Sequence, residues 1–241
     1  MCFFSPLGFG FAQLPITIVV VNIPCRAVLL DMDGVLVDST PAVTRVWTTW
    51  AEKHGLLPED VVRQAHGRPS LSTIQELLPH GDHEAENLYM ERGEIADVAD
   101  VVALPGAAEL LCSLPEHRRA VVTSASRSLA EVRLHAAGLP IPKYLVTASD
   151  IQRGKPDPEP YLQGARILGV PPAECVVIED APAGTVAGKA AGARVIALRT
   201  TTPDIDLSQA GADWIVDNCS AISLETAPRQ DGLVLVLRGQ R

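Results

Sequence analysis

Asp31-Met32-Asp33-Gly34-Val35-Leu36-Val37-Asp38-Ser39 directly follows an apolar run, Arg26 to Leu30. Two carboxylates two residues apart, with a glycine behind them, can act as nucleophile, as general acid or base, or as ligands of a cation. Asp33-Gly34 by itself suits the tip of a turn after a strand. A turn does not explain the apolar strand that feeds Asp31 into it. Nor does it explain a second acidic pair, Glu179-Asp180, after another apolar run, Cys175 to Ile178. Ser124 ends a further run, Ala120 to Thr123, and Lys155 lies in Gly154-Lys155-Pro156-Asp157-Pro158. Each of these two residues means little alone; their order along the chain gives them weight.

Elements far apart in sequence must bring this set together. The runs named above, with Tyr144 to Thr147, Arg194 to Leu198 and Asp213 to Val216, are short, non-alternating and rich in Val, Ile and Leu. Such runs suit strands covered on both faces. Helices are expected between them: Leu129 to Ala137, capped by Ser128 and closed by Gly138; Pro158 to Leu168, closed by Gly169; and Pro182 to Ala191, closed by Gly192. The alternation predicts an α/β fold, doubly wound about an open, mainly parallel, Rossmann-like sheet. Ligands of such sheets bind at the carboxyl ends of the strands. Asp31, Ser124 and Asp180 each sit at such an end, so they can converge.

One segment breaks the rhythm. Between Thr40 and Ala103 no strand signal is present. Val43, Val46, Trp47, Trp50 and Ala51 share a helical face that ends at Gly55, and Val61 to His66, Leu71 to Leu78 and Asp82 to Asp100 read as further helices. The acidic residues of the last stretch suit a solvated face. Pro105-Gly106 marks the return to the sheet. The expected organisation is an N-terminal extension of unknown role (1–25), a core built from 26–39 and 104–241, and an all-helical insertion (40–103). Ile16 to Val21 could add an edge strand, and the tail from Glu225 to Arg241 could be a hairpin, Gly232 to Leu237 being strand-like, or partly disordered.

The ordered set resembles the four motifs of the haloacid dehalogenase-like hydrolases, and the resemblance spans about Arg26 to Asn218. Asp31 to Ser39 matches motif I, Ser124 motif II, Lys155 motif III and Glu179-Asp180 motif IV. The resemblance implies a phosphatase in which Asp31 is the nucleophile that becomes an aspartyl-phosphate, and Asp33 the general acid and base. It implies that Ser124, the Ala125 backbone and Lys155 hold the phosphate. It also implies Mg2+ bound by Asp31, Glu179, Asp180 and the main-chain carbonyl of Asp33. A carboxylate at position 33 speaks against the family's dehalogenases, which lack one there, and its ATPases, which commonly have threonine.

The insertion matches the family's small cap, which closes over the site and excludes water. His66-Gly67-Arg68 is the cap loop expected to meet substrate, with Arg68 reaching phosphate or hydroxyls and His66 a polyol. This loop, the run from Gly154 to Tyr161 and the run from Glu179 to Gly184 resemble glycerol-phosphate and 2-deoxyglucose-6-phosphate phosphatases. The implied substrate is therefore a small sugar or polyol phosphate. A phosphohexomutase similar to β-phosphoglucomutase is the alternative; those mutases carry a histidine early in the first cap helix, where this chain has Thr40-Pro41-Ala42-Val43. An inactive binding domain on the same fold would be expected to have lost a carboxylate or the lysine, and all are present.

Composition narrows the partners. The chain of 241 residues carries a net charge of -9, with no basic stripe of the kind nucleic acid requires. The five cysteines are scattered without a close pair, which suits reduced thiols and not a disulfide framework or zinc site. Met1 to Cys25 holds no charged side chain, so the basic start of a secretory signal is missing. Ser5, Pro6, Gln13, Pro15 and Asn22 interrupt it as a membrane span. The expectation is a cytoplasmic monomer acting on a small phosphorylated metabolite, with no nucleic-acid or membrane partner.

Overall fold

The computed structural model describes residues 18–226 and 232–240. Strands β1 (Ile18–Cys25), β2 (Ala27–Leu30) and β3 (Val37–Asp38) lead into four helices: α1 (Thr40–Lys53), α2 (Pro58–Ala65), α3 (Ser70–Leu77) and α4 (His83–Ala96). The chain then alternates through β4 (Val102–Ala103), α5 (Ala107–Ser113), β5 (Arg119–Val122), α6 (Arg127–Ala136), β6 (Leu145–Val146) and α7 (Glu159–Leu168). It continues with β7 (Cys175–Glu179), α8 (Pro182–Ala190), β8 (Arg194–Leu198), α9 (Asp204–Gln209) and β9 (Trp214–Val216), and closes with β10 (Ile222–Thr226) and β11 (Leu233–Gln240).

The main sheet has the order β6-β5-β2-β7-β8-β9, and its pairs are parallel. This is the doubly wound α/β fold. The first strand, β2, lies inside the sheet, with β5 on one side and β7 on the other. The chain runs from β2 outward through β5 and β6 and then crosses back to β7 on the other side of β2; such a reversal of strand order opens a crevice beyond the carboxyl ends. Side chains alternate across the sheet. Val28, Leu30, Val121, Val176, Ile178 and Ile196 pack on one face, and Ala27, Leu29, Ala120, Val122, Val177 and Val195 on the other. Burial on both faces is why these strands read as unbroken apolar runs.

The insertion has its own core. Trp47, Trp50, Val61, Ile74 and Met90 form an apolar cluster separate from those on the sheet. Its return is not free of strand: β4 pairs antiparallel with β3, Val37 opposite Ala103. Two residues are too few to leave a periodic signal. The cap of α6 also differs from expectation. Ser126 and not Ser128 accepts from the Leu129 N–H, because the helix already begins at Arg127.

The ends of the chain meet. β1 pairs along its whole length with β11, which also pairs with β10, making a three-stranded antiparallel sheet. The stretch expected to be an extension therefore supplies an edge strand, shifted to Ile18–Cys25; the expectations for residues 1–17 and 227–231 lie outside the described residues. Ile23, Ile222, Leu235 and Leu237 bury into the same apolar cluster as Val28 and Leu30. Among the described residues no helix is long and apolar enough to cross a membrane.

If this second sheet is part of the core, truncating a fully buried side chain on it must cost as a core cavity does. Leu235 is 0% exposed, so Leu235→Ala is expected to lose about 2–5 kcal/mol. A urea titration would show a lower midpoint at unchanged slope; an unchanged midpoint would mean that the sheet is an appendage.

Candidate active site

Asp31 is placed by the two strands it touches. β2 ends at Leu30, and the Asp31 N–H donates to the Ile178 carbonyl of β7 at 2.9 Å. The chain then folds back: the Met32 carbonyl accepts from the N–H groups of Leu36 and Val37 at 2.8 and 3.0 Å. Gly34 makes this turn with φ +78°, and a Cβ there would stand 2.0 Å from Asp180 Oδ2. Both facts require glycine. The turn thereby sits against the carboxylate that follows β7.

Lys155 joins the two strand ends. It is buried, and its Nζ donates to Asp31 Oδ1 at 2.5 Å, Glu179 Oε1 at 2.7 Å and the Val122 carbonyl at 3.2 Å. Glu179 Oε1 also accepts from the Tyr161 hydroxyl at 2.8 Å, and Oε2 from the N–H groups of Asp180 and Ala181 at 2.9 and 3.1 Å. Burial works against the charge on Lys155, but the carboxylates of Asp31 and Glu179 outweigh it and hold its pKa above the ordinary lysine value. Burial also opposes the charge on Glu179, but there Lys155 wins and keeps the carboxyl below its ordinary value. For Asp31 burial prevails: it lifts the carboxyl well above the carboxylate range against the pull of Lys155, with the charges of Glu179 and Asp180 adding to the rise. Asp180 is raised by burial too, against its hydrogen bond with His66.

Two of the three buried carboxylates, Asp31 and Glu179, therefore share one lysine, and Asp180 stands beside them without it. Oxygens of Asp31, Glu179 and Asp180 all lie within 4.8 Å of one another. Hard oxygen donors that are short of positive charge fit a divalent cation. Among the described residues this is the only acidic or histidine group so arranged.

Asp33 lies in the same turn but in different surroundings. Its Oδ1 accepts from Ser39 Oγ at 2.6 Å and from Arg133 Nη1 at 3.0 Å. Its side chain is 29% exposed, whereas that of Asp31 is 8% exposed. Arg133 in turn reaches Glu94 on α4 of the insertion, 3.3 Å from Nη2 to Oε2. Sequence reasoning missed this arginine. The available signal was its position: Arg133 shares the buried face of α6 with Leu129, Ala130 and Leu134, where an unpaired cation has no place.

Ser124 Oγ is buried and has no hydrogen-bond partner among the described residues. A buried hydroxyl left open in the cavity that Asp31 also lines suits an incoming anionic oxygen. The Ala125 N–H donates to Thr123 Oγ1 at 3.1 Å. From the insertion, Gly67 presses on the core: a Cβ there, at φ +69°, would lie 2.5 Å from the Ala181 Cβ. His66 Nε2 accordingly meets Thr201 Oγ1 at 2.8 Å and Asp180 Oδ2 at 3.3 Å. The structure thus places His66 on the acidic cluster, where the sequence suggested a contact to substrate; the hydrogen bond with Asp180 raises its pKa against the effect of burial. Thr201, which also donates to Asp180 Oδ2, has no sequence signal. Arg68 lines the cavity but is engaged within the insertion, Nη2 to Glu76 Oε2 at 2.8 Å. The cavity between insertion and sheet measures about 520 Å3 and is lined by Asp31, Asp33, His66, Ser124 and Arg133 among others.

A family profile described as haloacid dehalogenase-like hydrolase matches residues 25–192. Hexitol phosphatase A of Escherichia coli is 40% identical over 215 residues, covering 87% of this chain and 99% of its own length. Glycerol-1-phosphate phosphohydrolase 2 of Saccharomyces cerevisiae is 36% identical over 214 residues, covering 83% and 85%. The crystal structure of a hydrolase from Pseudomonas syringae superposes with a TM-score of 0.74 at 27% identity, over 81% of this chain and 94% of that one.

Removing the shared cation tests the electrostatic account. Lys155→Met leaves Asp31 and Glu179 buried without it, so about 3–5 kcal/mol of stability should be lost at neutral pH. The sign with pH follows. An acid whose folded pKa is raised, as for Asp31, adds stability below its unfolded pKa that is lost as pH rises. The depressed Glu179 of the parent adds stability that is lost as pH falls. Denaturation midpoints of parent and variant should therefore converge as the solution is acidified; a gap that widens would refute the arrangement.

Proposed function

The chain belongs to the haloacid dehalogenase-like hydrolases, and from that premise we propose that it is a Mg2+-dependent phosphatase of small sugar or polyol phosphates. The observation that carries this reading is the division of labour within one turn: Asp31 is clasped by Lys155 inside the acidic cluster, while Asp33 faces the cavity, held by Ser39 and Arg133. The names of the hexitol and glycerol phosphatases, at 40% and 36% identity, support the substrate class.

The reaction takes two displacements. An oxygen of Asp31 bonds to phosphorus as the bond from phosphorus to the substrate oxygen breaks, and Asp33 gives its proton to that leaving oxygen. Asp33 then takes a proton from water, whose oxygen attacks the aspartyl-phosphate. The bond from phosphorus to Asp31 breaks and inorganic phosphate is released. Lys155 and Ser124 hold the phosphoryl oxygens through both steps. Asp31 and Asp180, with the main-chain carbonyl of Asp33, would hold Mg2+; Glu179 stands in the same acidic set, and its Oε1 also fixes Lys155. When bound, the ion offsets the charge repulsion between Asp31 and the phosphate.

The test is a phosphate-release screen over glycerol, mannitol, sorbitol and hexose phosphates. Release is expected with Mg2+, to vanish with a chelator and to return when the ion is restored. Asp33→Asn should slow release by ~10²–10⁴-fold, and Asp31→Asn should abolish both turnover and trapping of a phosphorylated protein. Parent-like hydrolysis by Asp31→Asn would sink the mechanism.

A further inference from the structure

One wall of the cavity is α4, which packs against α6. Asn87, Glu91 and Glu94 stand four and three residues apart, so they share one face of the helix, and all three line the cavity with Arg133. Partners hold each of them in place. Asn87 Oδ1 accepts from Ser70 Oγ at 2.5 Å, Glu91 Oε1 accepts from Ser126 Oγ, and Glu94 Oε2 lies 3.3 Å from Arg133 Nη2. Capacity remains: the amide N–H donors of Asn87 and the second oxygen of Glu91 have no further partner among the described residues.

Arg133 is an independent observation. It is 4% exposed, and its Nη1 is committed to Asp33. Its Nε and Nη2 make no hydrogen bond among the described residues. Nη2 has the Glu94 carboxylate within ion-pair range, but Nε has no partner, and a buried guanidinium donor left open beside a cavity points to an acceptor that a ligand brings. Position says which part of the ligand that is. Asp33 must reach the leaving oxygen, and Arg133, in contact with both Asp33 and Glu94, lines the same cavity. The atoms next to that oxygen therefore meet Arg133 and the α4 face.

The charges there are selective. Arg68 is paired with Glu76 at 2.8 Å, Arg127 with Asp150 at 2.9 Å and Arg133 with Asp33 at 3.0 Å. A second phosphate or a carboxylate would meet Glu91 and Glu94 where the charge of each of these cations is already balanced by an acid, Arg133 keeping an open donor but no uncompensated charge, and opposed like charges reject a ligand. A hydroxyl both donates and accepts, which is what a wall of carboxylates, an amide and a guanidinium needs; an anion only accepts.

We infer that the Asn87, Glu91 and Glu94 face of α4, with Arg133, is a leaving-group subsite that reads adjacent hydroxyls and turns away a second negative charge. It rests on the phosphatase reading and narrows it: the substrate is a monophosphate whose remainder is uncharged and rich in hydroxyls.

The experiment compares kcat/KM for sorbitol 6-phosphate, fructose 6-phosphate, fructose 1,6-bisphosphate and 4-nitrophenyl phosphate, the last of which has no adjacent hydroxyls. In Glu91→Ala and in Asn87→Ala, the ratio of sorbitol 6-phosphate to 4-nitrophenyl phosphate should fall tenfold or more, mainly through KM. In Glu91→Lys, the ratio of bisphosphate to fructose 6-phosphate should rise at least tenfold. Glu91 and Asn87 are only half-buried, so folded variants are expected, and thermal melting verifies this. If both ratios stay at parent values while 4-nitrophenyl phosphate is still cleaved, the subsite is overturned and the phosphatase reading stands. If the parent cleaves no phosphoester with Mg2+ present, both fall.

Discussion

Lys155 sits where β2, β5 and β7 end, donating to Asp31, Glu179 and the Val122 carbonyl. Its charge makes the burial of those two carboxylates tolerable, since an uncompensated buried charge is among the costliest features a fold can carry. The compensation is partial. Asp180 lies in the same cluster, so the site keeps an excess of negative charge that suits a divalent cation. The sheet order follows the same constraint. With β2 between β5 and β7, residues from three separate segments reach one point.

The insertion touches this centre on two sides. On the acidic side, His66 meets Asp180 and Thr201. On the other, Glu94 reaches Asp33 through Arg133. Asp33 and Asp180 thus each have part of their environment supplied by a segment with its own apolar core. Seating the insertion therefore completes the surroundings of both acids. It also explains why a loop glycine is needed at position 67, where any side chain would strike Ala181.

Much of the core was legible because its signals are local. Buried parallel strands leave continuous apolar runs, so β2, β5, β7 and β8 stand out, each with its polar residue at the carboxyl end. The elements that escaped have weak or distant signals. β3 and β4 are two residues each and exist only by pairing with one another. β1 is read from its β-branched run, yet its role depends on β11, more than 200 residues away. The start of α6 was misjudged because Ser126 and Ser128 are both competent caps, and only the backbone path selects one.

The residues by themselves determined the family, the α/β class, the helical insertion and the order of the acidic, hydroxyl and lysine positions, because residue type and spacing carry that information. The tertiary structure alone decided which partners those groups keep. Arg133 pairs with Asp33 across 100 residues, His66 turns to Asp180, Arg68 is taken by Glu76, and Glu179 fixes the lysine. These are pairings between side chains, set by packing and by the need to compensate each buried charge, and no local pattern in the chain encodes them. Asp31 was visible as a reactive carboxylate; that it is buried in a cluster short of positive charge while Asp33 stays at the cavity follows only from the fold.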